Sequence, residues 1–240
     1  MEKEEFKKNL KKNAKKIQID INDEELEKFW TYKKIVSEWN EKINLTAIKE
    51  DNEFIIKHLV DSLTINKYIQ NRDSIIDIGT GAGFPGIPIK IMNRENKTVL
   101  MDSLNKRLNV LKEVIERLEL KNIETLHGRA EELFQKKEYR ESFEIATARA
   151  VSNLNVLVEL MLPAVKVGGK CICMKGKNGL EELYESKKAI EILGGKVKTV
   201  EQLFLPETDF ERTIIIIEKI KNTPAIYPRK PGTPQGRPIA

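Results

Sequence analysis

The sequence predicts an α/β fold in which a helical N-terminal segment precedes a mostly parallel, seven-stranded sheet. Seven apolar, β-branched stretches lie between residues 74 and 218, and helical stretches separate the first six of them. Such alternation predicts a parallel sheet with helices on both faces. The last two stretches are joined only by Pro206-Glu-Thr-Asp209, which is too short for a helix, so the last strand should pair antiparallel.

The elements follow in order along the chain. In the N-terminal segment, Leu26, Phe29, Trp30, Ile35 and Trp39 recur at roughly helical spacing with charges between them, which predicts helices. The predicted strands are Ser74–Ile78, Thr98–Met101, Asn122–Leu126, Phe143–Ala148, Gly169–Met174, Lys196–Phe204 and Arg212–Glu218.

Three parts are expected along the 240 residues: a helical cap at 1–70, an α/β domain at 71–220 and a basic tail at 221–240. The tail is rich in proline and glycine, so neither helix nor regular strand is expected there.

Composition excludes several classes of protein. No stretch of about 18 apolar residues occurs, so no membrane span is expected, and the N-terminus lacks the apolar region of a signal peptide. The only cysteines, Cys171 and Cys173, share one predicted strand and face the same side. They offer neither a disulfide framework nor a four-cysteine zinc site. We therefore expect a cytoplasmic protein without a metal.

The net charge of +5 is distributed unevenly along the chain. Residues 1–16 contain seven lysines and three glutamates, and residues 219–240 contain five basic residues and no acid. The basic ends of the chain could bind phosphates electrostatically, but chain termini that only contact solvent show the same charge pattern. Charge alone leaves both interpretations open.

The first predicted strand runs into three glycines at alternate positions, Gly79, Gly81 and Gly83, which follow the acid Asp77. Glycine allows a sharp turn and lets a ligand lie against bare backbone. The dinucleotide fingerprint needs its third glycine three residues after the second, where this chain has Phe84. The spacing instead resembles the first motif of class I S-adenosylmethionine (SAM) methyltransferases.

Ligands of an open α/β sheet bind beyond the carboxyl ends of its strands, so the residues there are candidates. Asp102 follows the second strand and could accept hydrogen bonds from both hydroxyls of a ribose, or could cap the next helix. Ala130 and Glu131 follow the third strand, where an adenine ring would lie, but Glu131 could equally complement a helix N-terminus. His127 is interpreted as structural.

The residues after the fourth predicted strand limit the kinds of atom that the chain could methylate. Arg149 stands where a cation could meet the SAM carboxylate or a substrate phosphate. The Asn/Asp-Pro-Pro-aromatic sequence of enzymes that methylate exocyclic amines is absent, and both cysteines lie inside a strand rather than at a reactive position. A nucleophile with a free lone pair, such as guanine N7, needs no general base, so no catalytic side chain is predicted.

Taken together, the motifs resemble the RsmG (GidB) family, bacterial 16S ribosomal RNA guanine-N7 methyltransferases. The matching segments are Trp39-Asn40-x-x-x-Asn44-Leu45-Thr46, His58-x-x-Asp61-Ser62-Leu63, Asp77-Ile-Gly79-Thr-Gly81-Ala-Gly83-Phe84-Pro85-Gly86, Asp102-Ser-x-x-Lys106-Arg107, Gly128-Arg129-Ala130-Glu131, Ala148-Arg149-Ala150, Lys175-Gly176 and Tyr227-Pro-Arg-Lys-Pro-Gly-Thr-Pro. They cover nearly the whole chain in order.

The resemblance implies a class I SAM methyltransferase fold, Rossmann-like, with residues 71–220 binding SAM as cofactor. It implies SAM contacts at Gly79, Phe84, Ala130, Glu131 and Arg149. It also implies a partner, either 16S rRNA or a small-subunit assembly particle. Expected phosphate contacts are Lys106, Arg107, Arg129, Lys175, Arg229 and Lys230.

The polar residues of the N-terminal motifs have two interpretations of equal weight. They could form a wall over the SAM site, or could lock the helical part to the sheet; they are Asn40, Asn44, Thr46, His58 and Asp61. Three other functions remain as alternatives: a nicotinamide-dependent oxidoreductase, a non-catalytic RNA-binding assembly factor, and a methyltransferase acting on a small molecule.

Overall fold

The computed structural model describes residues 1–239 and contains the seven-stranded sheet that the sequence predicts. The order of its strands is β3-β2-β1-β4-β5-β7-β6. The strands are β1 (Ser74–Ile78), β2 (Lys97–Asp102), β3 (Ile123–His127), β4 (Phe143–Arg149), β5 (Val165–Lys175), β6 (Gly195–Phe204) and β7 (Glu211–Lys219). Strand β7 pairs antiparallel with both β5 and β6, which confirms the predicted antiparallel last strand.

The chain divides into two compact units, each built from separate stretches of sequence. The first contains residues 1–72, 80–127 and 205–209, and the second contains residues 73–79, 128–204 and the chain from 210 onward. The predicted division into cap, domain and tail follows the linear sequence instead, and it stays a prediction.

The first unit contains the predicted N-terminal helices and the parallel pair β2 and β3. Its helices are α1 (Lys3–Lys16), α2 (Asp23–Asn40), α3 (Asp51–Phe54), α4 (Asp61–Leu63), α5 (Gly86–Met92) and α6 (Asn105–Arg117), with a π-helical stretch at Ile55–Val60 and a 3₁₀ turn at Asn66–Tyr68. A capping box starts α2: the Asn22 side chain accepts from the Glu25 amide, and the Glu25 carboxylate accepts from the Asn22 amide.

The predicted apolar face of α2 is buried in the core of this unit. Leu26, Phe29 and Ile35 are buried, and Trp30 and Trp39 pack against the same cluster. That cluster also contains residues of α1, α5 and α6, so burial of one apolar stripe per helix holds the helices together.

The second unit contains the other five strands and their helices. Strands β1, β4 and β5 pair in parallel. The helices are α7 (Ala130–Leu133), α8 (Leu154–Met161), α9 (Gly179–Ile192) and α10 (Thr233–Gly236), with a 3₁₀ turn at Leu162–Ala164. Cys171 and Cys173 are free and buried on β5, as predicted.

The tail is more ordered than its composition predicts. Residues Thr233–Gly236 form one helical turn, so the expectation of no helix there was wrong. Proline is tolerated in the first turn of a helix because its missing amide has no partner there, and Pro234 occupies such a position. Within residues 1–239, no helix is long and apolar enough to cross a membrane.

Candidate functional site

The glycine-rich segment after β1 forms a tight turn. Gly79, Gly81 and Gly83 have positive φ angles of 69°, 61° and 104°, a region that L side chains rarely adopt. The Thr80 amide donates to the Met101 carbonyl at 3.0 Å, which ties the turn to the end of β2. The glycines are therefore required by the backbone path itself, before any ligand is considered.

Asp102 is hydrogen-bonded to this turn although it lies 21 residues later in the chain. Its Oδ2 accepts from the Gly81 amide at 3.0 Å and from Arg107 Nη1 at 3.3 Å. Its Oδ1 accepts from the Leu104 amide at 2.9 Å. The N-cap of α6 is Leu104 and no side chain caps this helix, so the alternative that Asp102 caps it was wrong: the Asp102 carboxylate binds the amide of the N-cap residue and the Arg107 side chain instead.

The Asp102 carboxylate is buried but does not use all of its acceptor positions within the protein. A carboxylate offers about four acceptor positions, and three are used within the protein, which leaves one on Oδ1. One ribose hydroxyl can bind there; two can bind only if Arg107, whose side chain is 34% exposed, moves away. With one acceptor position open to a ribose hydroxyl, the turn and Asp102 fit a nucleoside cofactor.

Phe84, at the end of the turn, lies in an aromatic cluster. The His58 ring stacks on the Phe84 ring with centroids 4.2 Å apart and planes 11° apart. Phe54 and Tyr32 contact the Phe84 ring at centroid distances of 5.8 and 5.4 Å. The Tyr32 hydroxyl also donates to the Ala82 carbonyl at 2.7 Å. The N-terminal helices therefore hold the turn through a ring stack and a buried hydrogen bond.

The polar N-terminal motif residues are used to build a loop. Asn40 Oδ1 accepts from the amides of Leu45 and Thr46 at 2.8 and 3.0 Å, and Asn40 Nδ2 donates to the Thr46 carbonyl at 2.9 Å. Thr46 Oγ1 is 2.7 Å from His58 Nε2. Asn44 is exposed, and Asp61 is 1% exposed. These bonds join residues within 40–58 and build a loop of the N-terminal part, so both interpretations of the motif stay predictions.

In the second unit, Ala130 and Glu131 begin α7, directly after β3 and Arg129. Ala130 is buried and Glu131 is half-buried. Glu131 Oε1 is 3.4 Å from the amide nitrogen of Gly232, so the tail reaches this predicted cofactor residue. Arg149 ends β4, and Val151 follows it closely: a Cβ on Gly79 would lie 2.8 Å from Val151 Cγ2.

The six predicted phosphate contacts fall into two groups. Lys106, Arg129 and Lys230 are exposed. The others have protein partners: Lys175 Nζ lies 2.7 Å from Glu182 Oε2, Arg107 pairs with Asp102, and Arg229 Nη2 lies 2.6 Å from Glu159 Oε2.

Neither cysteine has the surroundings of a nucleophile. Both side chains are fully buried on β5, and burial raises the pKa of the Cys173 thiol to about 12. Burial likewise raises the pKa of Cys171. Both thiols therefore stay protonated at neutral pH, in agreement with the predicted core role.

Comparison with known proteins identifies the family. A model of the family described as rRNA small subunit methyltransferase G (GidB) matches residues 25–212. The chain belongs to this family. Two relatives named ribosomal RNA small subunit methyltransferase G are similar over most of their length. The protein of Acetivibrio thermocellus is 51% identical over 92% of this chain and 91% of its own, and that of Alkaliphilus metalliredigens is 49% identical over 96% and 97%.

Solved structures with low sequence identity to this chain share its fold. TrmK of M. capricolum, solved with S-adenosylhomocysteine, has a TM-score of 0.52 and 21% identity over 68% of this chain and 69% of its own. TYW2 of M. jannaschii, solved with AdoMet, has a TM-score of 0.53 and 15% identity over 67% and 77%. The fold is therefore that of class I SAM methyltransferases, as predicted.

Sequence reasoning missed several residues that hold this family's motifs in place. Tyr32 supports the glycine turn, and Glu182 and Glu159 bind Lys175 and Arg229. Glu159 had a readable signal, because it is the only charged residue in the apolar helix Leu154–Met161. Tyr32 had none, because its partner Ala82 lies 50 residues along the chain. Glu182 lies seven residues after Lys175, and no pattern in the sequence singled it out.

Proposed function

We propose that this chain transfers a methyl group from SAM to N7 of a guanine in 16S rRNA of the small ribosomal subunit. Membership of the rRNA small subunit methyltransferase G family supports the proposal. The observation that carries it is the glycine turn, whose Gly81 amide donates to the buried Asp102 carboxylate at 3.0 Å. When bound, SAM supplies the methyl group on a sulfonium centre.

The residues proposed to hold SAM are those that the family motifs indicate. Gly79 and Phe84 belong to the glycine turn, and Asp102 offers its remaining acceptor position to a ribose hydroxyl. Ala130 and Glu131 would contact the adenine, and Arg149 would meet the SAM carboxylate. Each of these contacts remains a proposal.

The acceptor chemistry needs no general base. Guanine N7 carries a free lone pair and loses no proton on methylation, so orienting the base towards the methyl group is sufficient. The product base gains a positive charge, which an acceptor-rich environment would stabilise. A reaction without a nucleophilic side chain agrees with Cys171 and Cys173, whose buried thiols are not reactive.

RNA would be held mainly through its phosphates. Lys106, Arg129 and Lys230 are exposed and can bind phosphate without giving up a protein partner. Three further phosphate contacts are proposed, each of which costs free energy because the basic side chain must first leave an acidic partner. They are Lys175, which pairs with Glu182, Arg107, which pairs with Asp102, and Arg229, which pairs with Glu159. The proposed partner is 16S rRNA or a small-subunit assembly particle in the cytoplasm, with no membrane and no metal required.

Labelled methyl transfer tests the proposal. The purified chain, labelled SAM and small-subunit rRNA are incubated, and the modified base is mapped chemically as N7-methylguanine. Transfer to a single guanine N7 is expected. Label on another atom, on a small molecule only, or on no RNA would contradict the proposal, and tight binding of NAD in place of SAM would point to an oxidoreductase.

A further inference from the structure

The loop between β4 and α8, residues 150–153, lies against the first glycine of the turn. A Cβ built on Gly79 would lie 2.8 Å from Val151 Cγ2, so the Val151 side chain contacts the backbone of Gly79 closely. Ala150 has a φ angle of 55°, which L residues other than glycine adopt rarely, so the loop does not take this shape by intrinsic preference. Contacts from other elements therefore have to hold it in place.

Lys175, at the end of β5, holds the 150–153 loop by its backbone. Its Nζ donates to the Ser152 carbonyl at 2.7 Å. The Lys175 side chain is only 9% exposed, so this bond is largely shielded from water and stronger than the same bond on the surface. A buried ammonium group also needs an acidic partner, because a buried charge without one costs much free energy.

Glu182, in the first turn of α9, is that partner, and it also binds the start of α8. Its Oε2 lies 2.7 Å from Lys175 Nζ and accepts from the Leu154 amide at 2.8 Å. The N-cap of α8, Asn153, makes no side-chain capping bond, so an acceptor from α9 serves the first amide of this helix. The loop is therefore tied at Ser152 through Lys175 and at its end directly by Glu182.

The glycine that starts α9 allows Glu182 to reach this position. A Cβ on Gly179 would overlap Thr213 Cβ, so the helix can begin this close to β7 only with glycine. Thr213 is the residue opposite Lys175 in the pairing of β7 with β5. The first turn of α9 therefore lies near the end of β5, within reach of the Lys175 ammonium group.

We propose that Glu182 is a positioning residue for the SAM site, because with Lys175 it holds the 150–153 loop against Gly79. The inference rests on the proposed function, in which Gly79 and Arg149 contact SAM. Arg149 directly precedes the loop, so a displaced loop changes the direction of the Arg149 side chain as well as the contact at Gly79. Glu182 acts on SAM indirectly, through the loop.

A loop that is held in advance favours binding because little conformational freedom is left to lose when the ligand enters. When only a fraction of molecules has the loop in position, the apparent affinity falls by that fraction. If loss of the anchors leaves about one molecule in ten with the loop in position, the apparent Kd for SAM rises about 10-fold. Misplaced SAM also slows transfer, which needs the methyl group in line with N7.

Glu182→Gln tests the inference, with Glu181→Gln as a matched control. Both acids lie in the first turn of α9, so both replacements remove a similar interaction with the helix dipole, and Glu181 is exposed. SAM affinity is measured by calorimetry without RNA, so that phosphate contacts do not contribute. Glu182→Gln should raise the Kd for SAM about 10-fold, and Glu181→Gln should match the wild type.

A double replacement, Lys175→Met with Glu182→Gln, separates positioning from stability. Glu182→Gln alone leaves the buried Lys175 charge without its partner and should lower Tm, whereas the double replacement removes that charge and should restore Tm. The bond to the Ser152 carbonyl stays lost, so the double variant should still bind SAM about 10-fold more weakly than the wild type. Recovery of SAM affinity together with Tm would overturn the inference, as would wild-type SAM affinity in Glu182→Gln.

Assays with 16S rRNA distinguish this inference from the proposed function. A wild type that binds SAM but methylates no guanine N7 would contradict the proposed function alone, because the calorimetric test of Glu182 needs no RNA. A wild type that binds no SAM would overturn the inference itself. Where transfer occurs, Glu182→Gln should lower kcat at saturating SAM. An unchanged kcat with a raised RNA KM would instead make Lys175 and Glu182 part of a phosphate site and overturn the positioning role.

Discussion

Arg229→Gln tests whether the tail is a folded strap or a free RNA-binding arm. Arg229 donates to the Glu159 carboxylate through Nε and Nη2 at 2.9 and 2.6 Å, and its own amide donates to Glu159 Oε1 at 2.8 Å. Glu159 is fully buried in α8 and raises the pKa of Arg229, so the pair is a bidentate, charge-assisted contact.

The expected magnitude follows from the burial of the two partners. Removing one partner of a buried ion pair costs about 3–5 kcal/mol, because the other charge is left without compensation. The Arg229 side chain is 26% exposed, so the lower end applies and we expect a loss of about 3 kcal/mol in the free energy of unfolding. For a chain of this size that loss corresponds to a fall in Tm of about 6 °C.

Thermal unfolding and RNA binding are measured on Arg229→Gln and on the neighbouring Lys230→Gln. Lys230 is exposed, so its replacement should leave Tm unchanged and make the salt dependence of RNA binding shallower by about 0.7–0.9 in log–log slope. If Arg229→Gln keeps its Tm and shows that shallower slope instead, the strap is refuted and Arg229 is a phosphate contact.

Three further predictions follow from the site and the core. Gly79→Ala should weaken SAM binding measured by calorimetry, because φ is 69° and the new Cβ would lie 2.8 Å from Val151 Cγ2; unchanged affinity would contradict the turn assignment. Asp102→Ala should lose about 1.5–3 kcal/mol of SAM binding and also lower Tm, since the carboxylate supports both ligand and turn; a fall in Tm alone would leave only the structural role. Burial lowers the pKa of Lys90 to about 8 from 10.5. Between pH 8 and 10.5 the unfolded state therefore binds more protons than the folded state, so the free energy of unfolding measured in urea should rise with pH over this range. That rise should be smaller in Lys90→Met, and an equal rise would show that another group titrates.

The strands were predictable because each is a β-branched run bounded by turn residues. Every predicted strand is present: β1 has the predicted ends, and the other six differ at one or both ends by one to four residues. The largest shift is in β5, which begins at Val165 rather than at the predicted Gly169. Gly168 and Gly169 suggest a turn, but Gly168 has a φ angle of 87° inside the strand, where the pairing with β4 changes register. Glycine marks an irregularity in the strand pairing there, which the sequence does not distinguish from a turn.

The ends of the strands were the most informative positions for the site. Parallel topology fixes which residues meet at one edge of a sheet, so Asp102 could be assigned next to the glycine turn from the order of elements alone. The hydrogen bond from the Gly81 amide to Asp102 agrees with that reasoning. What the sequence could not show is that Arg107 and Leu104 also bind this carboxylate, because such local bonds depend on where α6 begins.

The N-terminal motif could not be resolved between its two interpretations for a physical reason. Its side chains act through tertiary contacts: Asn40 binds the backbone of Leu45 and Thr46, and Thr46 reaches His58, which stacks on Phe84. Helical periodicity carries no information about such contacts. Asn40 and Thr46 shape the loop from Leu45 to Ile48 through bonds to its backbone. Polar residues in a helical segment can therefore serve the fold or a ligand, and only the contacts of each side chain separate the two roles.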